Sequence, residues 1–456
     1  MKYKFGVILV GILFSCQNQL NSAYIVSKDV PRENKTDRAW DQGWLMVPEN
    51  RKMNSSNTIE LPFVLSRVAD SLKIEDTPVL IMSGGPGNGS LHMANGSVYT
   101  SWGKTRNLLV LEQRGTLKTE PSLKCPEIDS LINLGLRNGL YGEELGKLKM
   151  KGTKMCYERL TAQGIDLNGY NTLESVEDIE DLRKNLKLDQ LILYGMSYSC
   201  NLMATYAQKY PQNVKALILD SPLPHESNHD EEVYQNLDST LVRIIKRYSR
   251  SDTLYDNWLN YLSSIKDTVF EISIDSIQYS YTKNELIDIP VNNMSSHGGL
   301  KDVVPSIEKI ISGNHSKMEE IMGYYLGGSW QALGMRYSVW IGEELPEEDK
   351  LSIKRNREKI EWISGYAAND VSFETKKYWP VNSIYTDWEW PDGTFEGPTL
   401  IISGEFDPWT PVWYGRMMLK FFPNATHSIY KENSHLPGFT DKGTDDIAEF
   451  LNSKID

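Results

Sequence analysis

Short apolar runs bounded by polar turns recur along this chain, and between them apolar residues return at every third or fourth position. The runs Gly43–Val47, Ile59–Val68, Val79–Ser83, Leu108–Glu112, Leu191–Tyr194, Ala216–Asp220 and Leu400–Ser403 have the length and composition of buried strands, and His427–Lys431 reads as one more. Ser175–Leu186, Ser199–Tyr210 and Thr444–Leu451 carry the helical spacing. Strands alternating with helices predict an α/β architecture, a mostly parallel sheet with helices on its faces. The alternation stops near Pro222 and resumes at Pro398. Between them lies a helix-patterned stretch holding Trp258, Trp330, Trp340, Trp362, Trp379, Trp388 and Trp390. Such an interruption predicts a helical cap, residues 223–394, inserted into a core formed by residues 36–222 and 395–456.

The stretch Leu191-Ile-Leu-Tyr-Gly195-Met-Ser197-Tyr198-Ser199 runs from a buried strand through a tight turn into a helix. A serine in such a turn is held in a strained conformation with its hydroxyl above the sheet, as a nucleophile needs. Gly-x-Ser-x-Ser alone arises often by chance; the strand before it and the helix after it give it meaning. Gly195 meets the need for a small residue where the two backbones approach. The helix start also aims the N–H of Tyr198 at an incoming carbonyl oxygen, one half of an oxyanion hole. Pro78–Met82 leads into Ser83-Gly84-Gly85-Pro86-Gly87, a glycine turn whose backbone can approach a substrate closely, and Gly84 or Gly85 is expected to supply the other half. That turn lacks the Gly-Lys-Ser/Thr of a phosphate loop and the glycine spacing of a dinucleotide site.

A serine nucleophile needs a base and an acid to orient it. Beyond the cap, Thr399–Gly404 runs into Glu405-Phe-Asp407-Pro408-Trp-Thr-Pro411, where two prolines stiffen the turn that carries Asp407. Glu405, nearer the strand end, reads as structural. Two histidines follow: His427 opens a strand, whereas His435 sits in the loop Glu432-Asn-Ser-His435-Leu-Pro-Gly, from which an imidazole can reach over the sheet edge. Ser197, Asp407 and His435 are therefore the expected triad.

Together these motifs resemble the prolyl and tripeptidyl aminopeptidase branch of the α/β-hydrolases. Gly84-Gly85-Pro86-Gly87 resembles that family's oxyanion signature, and Glu112-Gln113-Arg114-Gly115 its Asp-x-Arg-Gly turn, with Glu for Asp. Gly195-Met-Ser197-Tyr198 is similar to the nucleophile turn, and Gly404-Glu-Phe-Asp407-Pro-x-Thr-Pro to the acid turn. The likeness runs through most of the chain outside the cap. It implies an α/β-hydrolase fold, exopeptidase action on free peptide N-termini, a structural role for Arg114, and neither metal nor organic cofactor. Two departures stand out: Ser199 replaces a glycine, and Thr-Leu-Lys-Thr-Glu follows Gly115 in place of a glycine-rich continuation. Within the cap, Met335-Arg-Tyr-Ser-Val-Trp-Ile-Gly-Glu343-Glu344 resembles a segment with an acidic residue near the substrate amine. The resemblance makes Glu343 the expected anchor, with Glu344 next.

Charge and cysteine usage sharpen the picture. Hydrophobic content of 40% and charged content of 24% are those of globular proteins, and a net charge of −13 excludes the basic surface that nucleic acid requires. Residues 223–394 hold 28 Asp+Glu against 17 Lys+Arg, so the cap carries most of the surplus. This is either a field that draws cationic N-termini or a solvated acidic surface. Lys2 and Lys4 precede the apolar run Phe5–Phe14, too short to span a bilayer, and Leu13-Phe14-Ser15-Cys16 resembles a bacterial lipobox. Residues 1–16 thus read as a lipoprotein signal with Cys16 as the lipidated residue, predicting an exported protein anchored at the cell envelope by lipid alone. In that oxidising compartment Cys125 and Cys156 are the natural disulfide pair, because Cys200 lies in the helix after the nucleophile. An exopeptidase acting on peptide substrates is the leading expectation. A carboxylesterase or other α/β-hydrolase is the alternative within enzymes, and a catalytically silent binding module stands outside them.

Overall fold

The computed structural model describes residues 38–69, 75–296, 298–386 and 388–455. Cys16 and the leader lie outside the described residues. Among the described residues ten strands form, namely β1 (Arg38–Pro48), β2 (Thr58–Val68), β3 (Glu75–Met82), β4 (Arg106–Leu111), β5 (Leu191–Met196), β6 (Val214–Asp220), β7 (Phe270–Ile274), β8 (Ile277–Tyr281), β9 (Thr399–Gly404) and β10 (Ala425–Tyr430). Eight of them make one sheet in the order β1-β2-β4-β3-β5-β6-β9-β10. β1 pairs antiparallel with β2 and β2 with β4; the remaining pairs are parallel. β4, β5 and β9 are buried along their whole length, as strands covered on both faces must be, and this is why they read as continuous apolar runs.

The order of the strands fixes where a site can form. From β3 the chain steps to β4 on one side, whereas β5 lies on the other side of β3 and leads on to β6. The connections after β3 and β5 therefore leave in opposite directions, and a crevice opens at the carboxyl ends of these two neighbours. Gly84 follows β3 and Ser197 follows β5.

Apolar clusters cover both faces of the sheet, one around Leu80, Leu193, Met203 and Tyr206, the other around Ile81, Ile192, Ile218 and Ile447. A third cluster belongs mainly to the helices between His229 and Ile363 and includes Leu237, Leu241, Trp258, Leu286, Val303 and Trp362. Of the tryptophans in this region, Trp258, Trp340, Trp362 and Trp379 are core, while Trp330 is 70% exposed.

The region departs from an all-helical pattern in one place, where β7 and β8 form a hairpin across Asp275 and Ser276, both at positive φ. Two further helices, Pro126–Arg137 and Gly142–Ala162, pack against each other, the first amphipathic and the second without a clear apolar period. Most of the second is Gly, Lys, Glu and Thr; its buried residues are few, and one is Cys156. The disulfide Cys125–Cys156 ties the start of the first helix to the second, with Cα atoms 5.3 Å apart. Cys200 is free and buried. Among the described residues no helix is long and apolar enough to cross a membrane.

Candidate active site

Ser197 stands between β5 and the helix Tyr198–Lys209 with φ 53° and ψ −122°. Positive φ in a non-glycine residue stores strain that the surroundings must hold, as a nucleophile turn does. Gly195 is required there, since a Cβ would sit 2.7 Å from the Cα of Cys200. Ser199 is more than a tolerated replacement for glycine. Its hydroxyl accepts the N–H of Met196 at 2.8 Å and donates to the carbonyl of Met82 at 2.7 Å, tying the nucleophile turn to the end of β3. Across the crevice, a Cβ on Gly84 would lie 2.9 Å from that of Ser197 and 3.3 Å from the nitrogen of Tyr198. The N–H groups of Gly84, Gly85 and Tyr198 have no acceptor among the described residues, which leaves them available to an oxyanion.

Asp407 and His435 meet as expected. Asp407 Oδ2 lies 2.7 Å from His435 Nδ1 and accepts the Thr410 hydroxyl at 2.6 Å. Its Oδ1 accepts the N–H groups of Trp409 and Thr410 at 2.9 and 3.0 Å. Burial by itself would raise this carboxyl; the facing His435 and these donors outweigh it and hold Asp407 below the ordinary aspartate value. Burial likewise works to lower His435, and Asp407 overcomes it, so the imidazole sits above its usual value. Among the described residues Ser197 Oγ has no hydrogen bond, and catalytic contacts of this kind often close only around substrate. His427 bonds the Ser403 hydroxyl at 3.0 Å and Glu405 accepts the N–H of Glu432 at 3.0 Å, both structural tasks.

The glycine turn is braced from two sides. Glu112 accepts the N–H groups of Ser90 and Leu91, at 2.7 and 3.0 Å. Arg336 donates to the Gly85 carbonyl at 3.0 Å while pairing with Asp370 and Asn369. Arg114 is fully buried and structural. It forks onto Asp178 at 2.7 and 2.6 Å and donates to the carbonyls of Glu49 and Gly169.

Glu343 and Glu344 lie in a π-helical turn, Trp340–Glu344, a geometry often found at functional sites. The structure treats the two carboxylates differently. Both oxygens of Glu343 are occupied by Thr172, Oε1 by its N–H at 2.6 Å and Oε2 by its hydroxyl at 2.5 Å. The same hydroxyl lies 2.6 Å from that of Tyr198, the residue after the nucleophile. Burial pushes Glu343 up to about 7 against the pull of these bonds. The Glu344 carboxylate has no hydrogen-bond or ion-pair partner among the described residues. Burial, and then Glu343, Glu348 and Asp230 around it, drive it well above the ordinary glutamate value. Of the two, Glu344 is therefore the carboxylate left without a partner among the described residues.

A large cleft of about 1260 Å³ in the helical region is lined by Asp129, Asp288, Asp302, Glu320 and Asp370 against Lys309 and Lys317. None of the triad residues lines it; Asp370 links it to the glycine turn through Arg336. Among the described residues no cluster of His, Cys, Asp and Glu is placed to hold a metal ion. Sequence reasoning missed Thr410 and Thr172. The first was legible, as the third residue after an aspartate in a tight turn, where a side-chain carboxylate gathers N–H groups. The second was not, because it meets Glu343 across 171 positions.

A family model for the alpha/beta hydrolase fold matches residues 77–252. YuaR, a protein of Escherichia coli named as a hydrolase, is 24% identical over 159 residues, which are 33% of this chain and 29% of that protein. A proline iminopeptidase of Saccharolobus solfataricus is 33% identical over 87 residues, 18% of this chain and 28% of the relative. The match thus spans less than a third of the length of either. Among solved structures, an esterase of Thermogutta terrifontis is 13% identical with a TM-score of 0.40, over 91% of this chain and 99% of that one. An α/β-hydrolase from a Medee basin deep-sea metagenome library is 14% identical with a TM-score of 0.41, over 86% and 94%. The chain has the α/β-hydrolase fold.

Proposed function

We propose that this α/β-hydrolase is a serine aminopeptidase that removes residues from free peptide N-termini. Ser197 Oγ attacks the scissile carbonyl while His435 takes its proton, and the N–H groups of Tyr198 and of Gly84 or Gly85 receive the oxyanion. His435 returns the proton to the leaving amine, and water then releases the acyl group by the same steps in reverse. Asp407, ionised and fully hydrogen-bonded, keeps the imidazole in the right tautomer and favours its charged form.

The observation that carries the reading is the Glu344 carboxylate, buried beside other acids without a donor. A buried carboxylate left without a partner is costly. A substrate ammonium would supply both countercharge and hydrogen bonds, returning Glu344 to its ionised form. Glu343, locked by Thr172 within one hydrogen bond of Tyr198, holds the turn beside the nucleophile. The limited likeness to a proline iminopeptidase points the same way. The disulfide fits export to an oxidising compartment. Export with a lipid anchor at Cys16 is part of the proposal, and retention of Cys16→Ala protein at the membrane would contradict it.

A panel of aminoacyl and tripeptidyl fluorogenic amides, each free and N-acetylated, tests the function. The free amides should be cleaved and the acetylated ones spared. Equal cleavage of both would remove the aminopeptidase reading in favour of an esterase or other hydrolase.

A further inference from the structure

Asp220 ends β6 and is fully buried, and neither the triad nor the oxyanion hole uses it. Its backbone carbonyl accepts the N–H of Ser197 at 2.9 Å, so it holds the nucleophile turn from behind. Its side chain reaches the other way. Oδ2 accepts the N–H of Gly438 at 3.1 Å and the Tyr194 hydroxyl at 3.2 Å, while Oδ1 has no partner. Gly438 lies in the loop that carries His435, and only glycine fits there, because a Cβ would stand 2.4 Å from Asp220 Oδ2 and 2.6 Å from Tyr194 Oη. The next residue repeats the link. Ser221 is buried at φ 55°, its N–H donates to Ile402 at 2.8 Å, and its hydroxyl accepts the N–H of Leu436 at 2.9 Å. One dipeptide therefore touches the turn of the nucleophile, the end of β9 and the loop of the base.

We infer that Asp220 is a positioning residue for the base: with Ser221 it ties the loop carrying His435 to the turn carrying Ser197. The inference rests on the triad assigned above. A tether at this place matters because Ser197 and His435 arrive from segments that are not neighbours in the sheet, the turn after β5 and the connection after β10. A misplacement of about 1 Å can cost on the order of a hundredfold in rate.

The carboxyl also acts through charge. Burial lifts it to about 7, with the nearby Asp407 adding to that and His435, Tyr194 and the Gly438 N–H opposing. When ionised it joins Asp407 in holding the His435 imidazolium. The other titratable groups facing this pair are Cys200 on the nucleophile helix, Tyr430 on β10 and the neutral His229.

The test compares Asp220→Asn, Asp220→Ala and Ser221→Ala with the wild type, using kcat and KM for an uncharged aryl ester across pH. Active sites are counted with a fluorophosphonate, so that unfolded protein does not enter the rate. Asp220→Asn keeps the shape and removes the charge; the acid limb of kcat/KM should move to lower pH by about half a unit or more, because an imidazole facing less negative charge is a weaker base. Asp220→Ala should lower kcat by about tenfold to a hundredfold with little change in KM, Ser221→Ala should lower it less, and Asp220→Asn should restore most of what alanine loses. A merely structural Asp220 would lower the melting temperature and leave kcat per titrated site and the acid limb unmoved, and that result overturns the inference. Should Asp220→Ala not fold, Asp220→Asn decides alone: an unshifted limb contradicts it. Ser197→Ala, run in parallel, separates the two readings, because activity surviving there removes the triad itself.

Discussion

Asp407 and Glu344 are both carboxylates withdrawn from solvent, and the protein treats them in opposite ways. Around Asp407 four donor contacts converge, from His435, Trp409 N–H, Thr410 N–H and the Thr410 hydroxyl, and the carboxyl stays ionised below its ordinary value. Around Glu344 there is no hydrogen-bond donor among the described residues, and burial, with three further acids beside it, pushes it well above its ordinary value. The acid turn is complete without a ligand. In the proposed reading, the π-helical turn is completed by the substrate's ammonium. On that reading, a side chain that serves every substrate is preorganised by the protein, whereas the one proposed to read the substrate is left for the substrate to satisfy. Glu343, one residue away, belongs with the first kind, because Thr172 occupies both its oxygens.

The sharpest way to break this comparison is at the complete end. Asp407→Asn should leave the fold intact and reduce kcat on the order of 10⁴-fold, because the amide favours the wrong imidazole tautomer. The loss should be the same for free-amine, acetylated and ester substrates; a loss confined to amines would show that the two carboxylates are not separable. Thr410→Val removes one hydroxyl from Asp407. A hydrogen bond to a charged group is worth about 1.5–3 kcal/mol, so kcat should fall by about tenfold to a hundredfold for every substrate alike. The smallest effect is at the open end and concerns stability. A carboxyl whose folded value lies above its unfolded one leaves stability intact below the unfolded value and lowers it as pH rises toward the folded one. Glu344→Gln should therefore raise the melting temperature, by about 1–2 °C where ~1 kcal/mol is relieved, and more at alkaline than at acid pH. A variant less stable than the wild type at high pH would mean that Glu344 has a partner.

The sheet was legible because its inner strands are buried on both faces and so read as unbroken apolar runs; Leu191–Met196 and Thr399–Gly404 are examples. The nucleophile turn was legible because local sterics dictate it, through Gly195 and the strand-to-helix junction. The Asp407–His435 pair followed from the loops that carry them. What escaped depends on contacts distant in sequence or on weak periodicity. The helix Gly142–Ala162 is polar around most of its surface, held by a disulfide and a few buried side chains. The hairpin β7–β8 turns on two non-glycine residues at positive φ, which no turn signature announced. Resemblance alone ranks Glu343 ahead of Glu344; which of the two carboxylates is hydrogen-bonded depends on Thr172, far upstream. Asp220 read only as the end of a strand, since its partner Gly438 lies 218 positions on.

The central claim is that Glu344 binds the substrate amine, and the most direct measurement crosses two removals. The kcat/KM of wild type and Glu344→Gln is determined for one aminoacyl amide, free and N-acetylated. Truncating one partner of a shielded charge pair typically costs about 2–5 kcal/mol, so Glu344→Gln should cut kcat/KM for the free amide by tens to thousands of fold. Acetylation should cost the wild type a comparable factor and the variant little more, because both changes remove the same contact. Fully additive losses, or an acetylated substrate cleaved by the wild type as fast as the free one, would contradict the account.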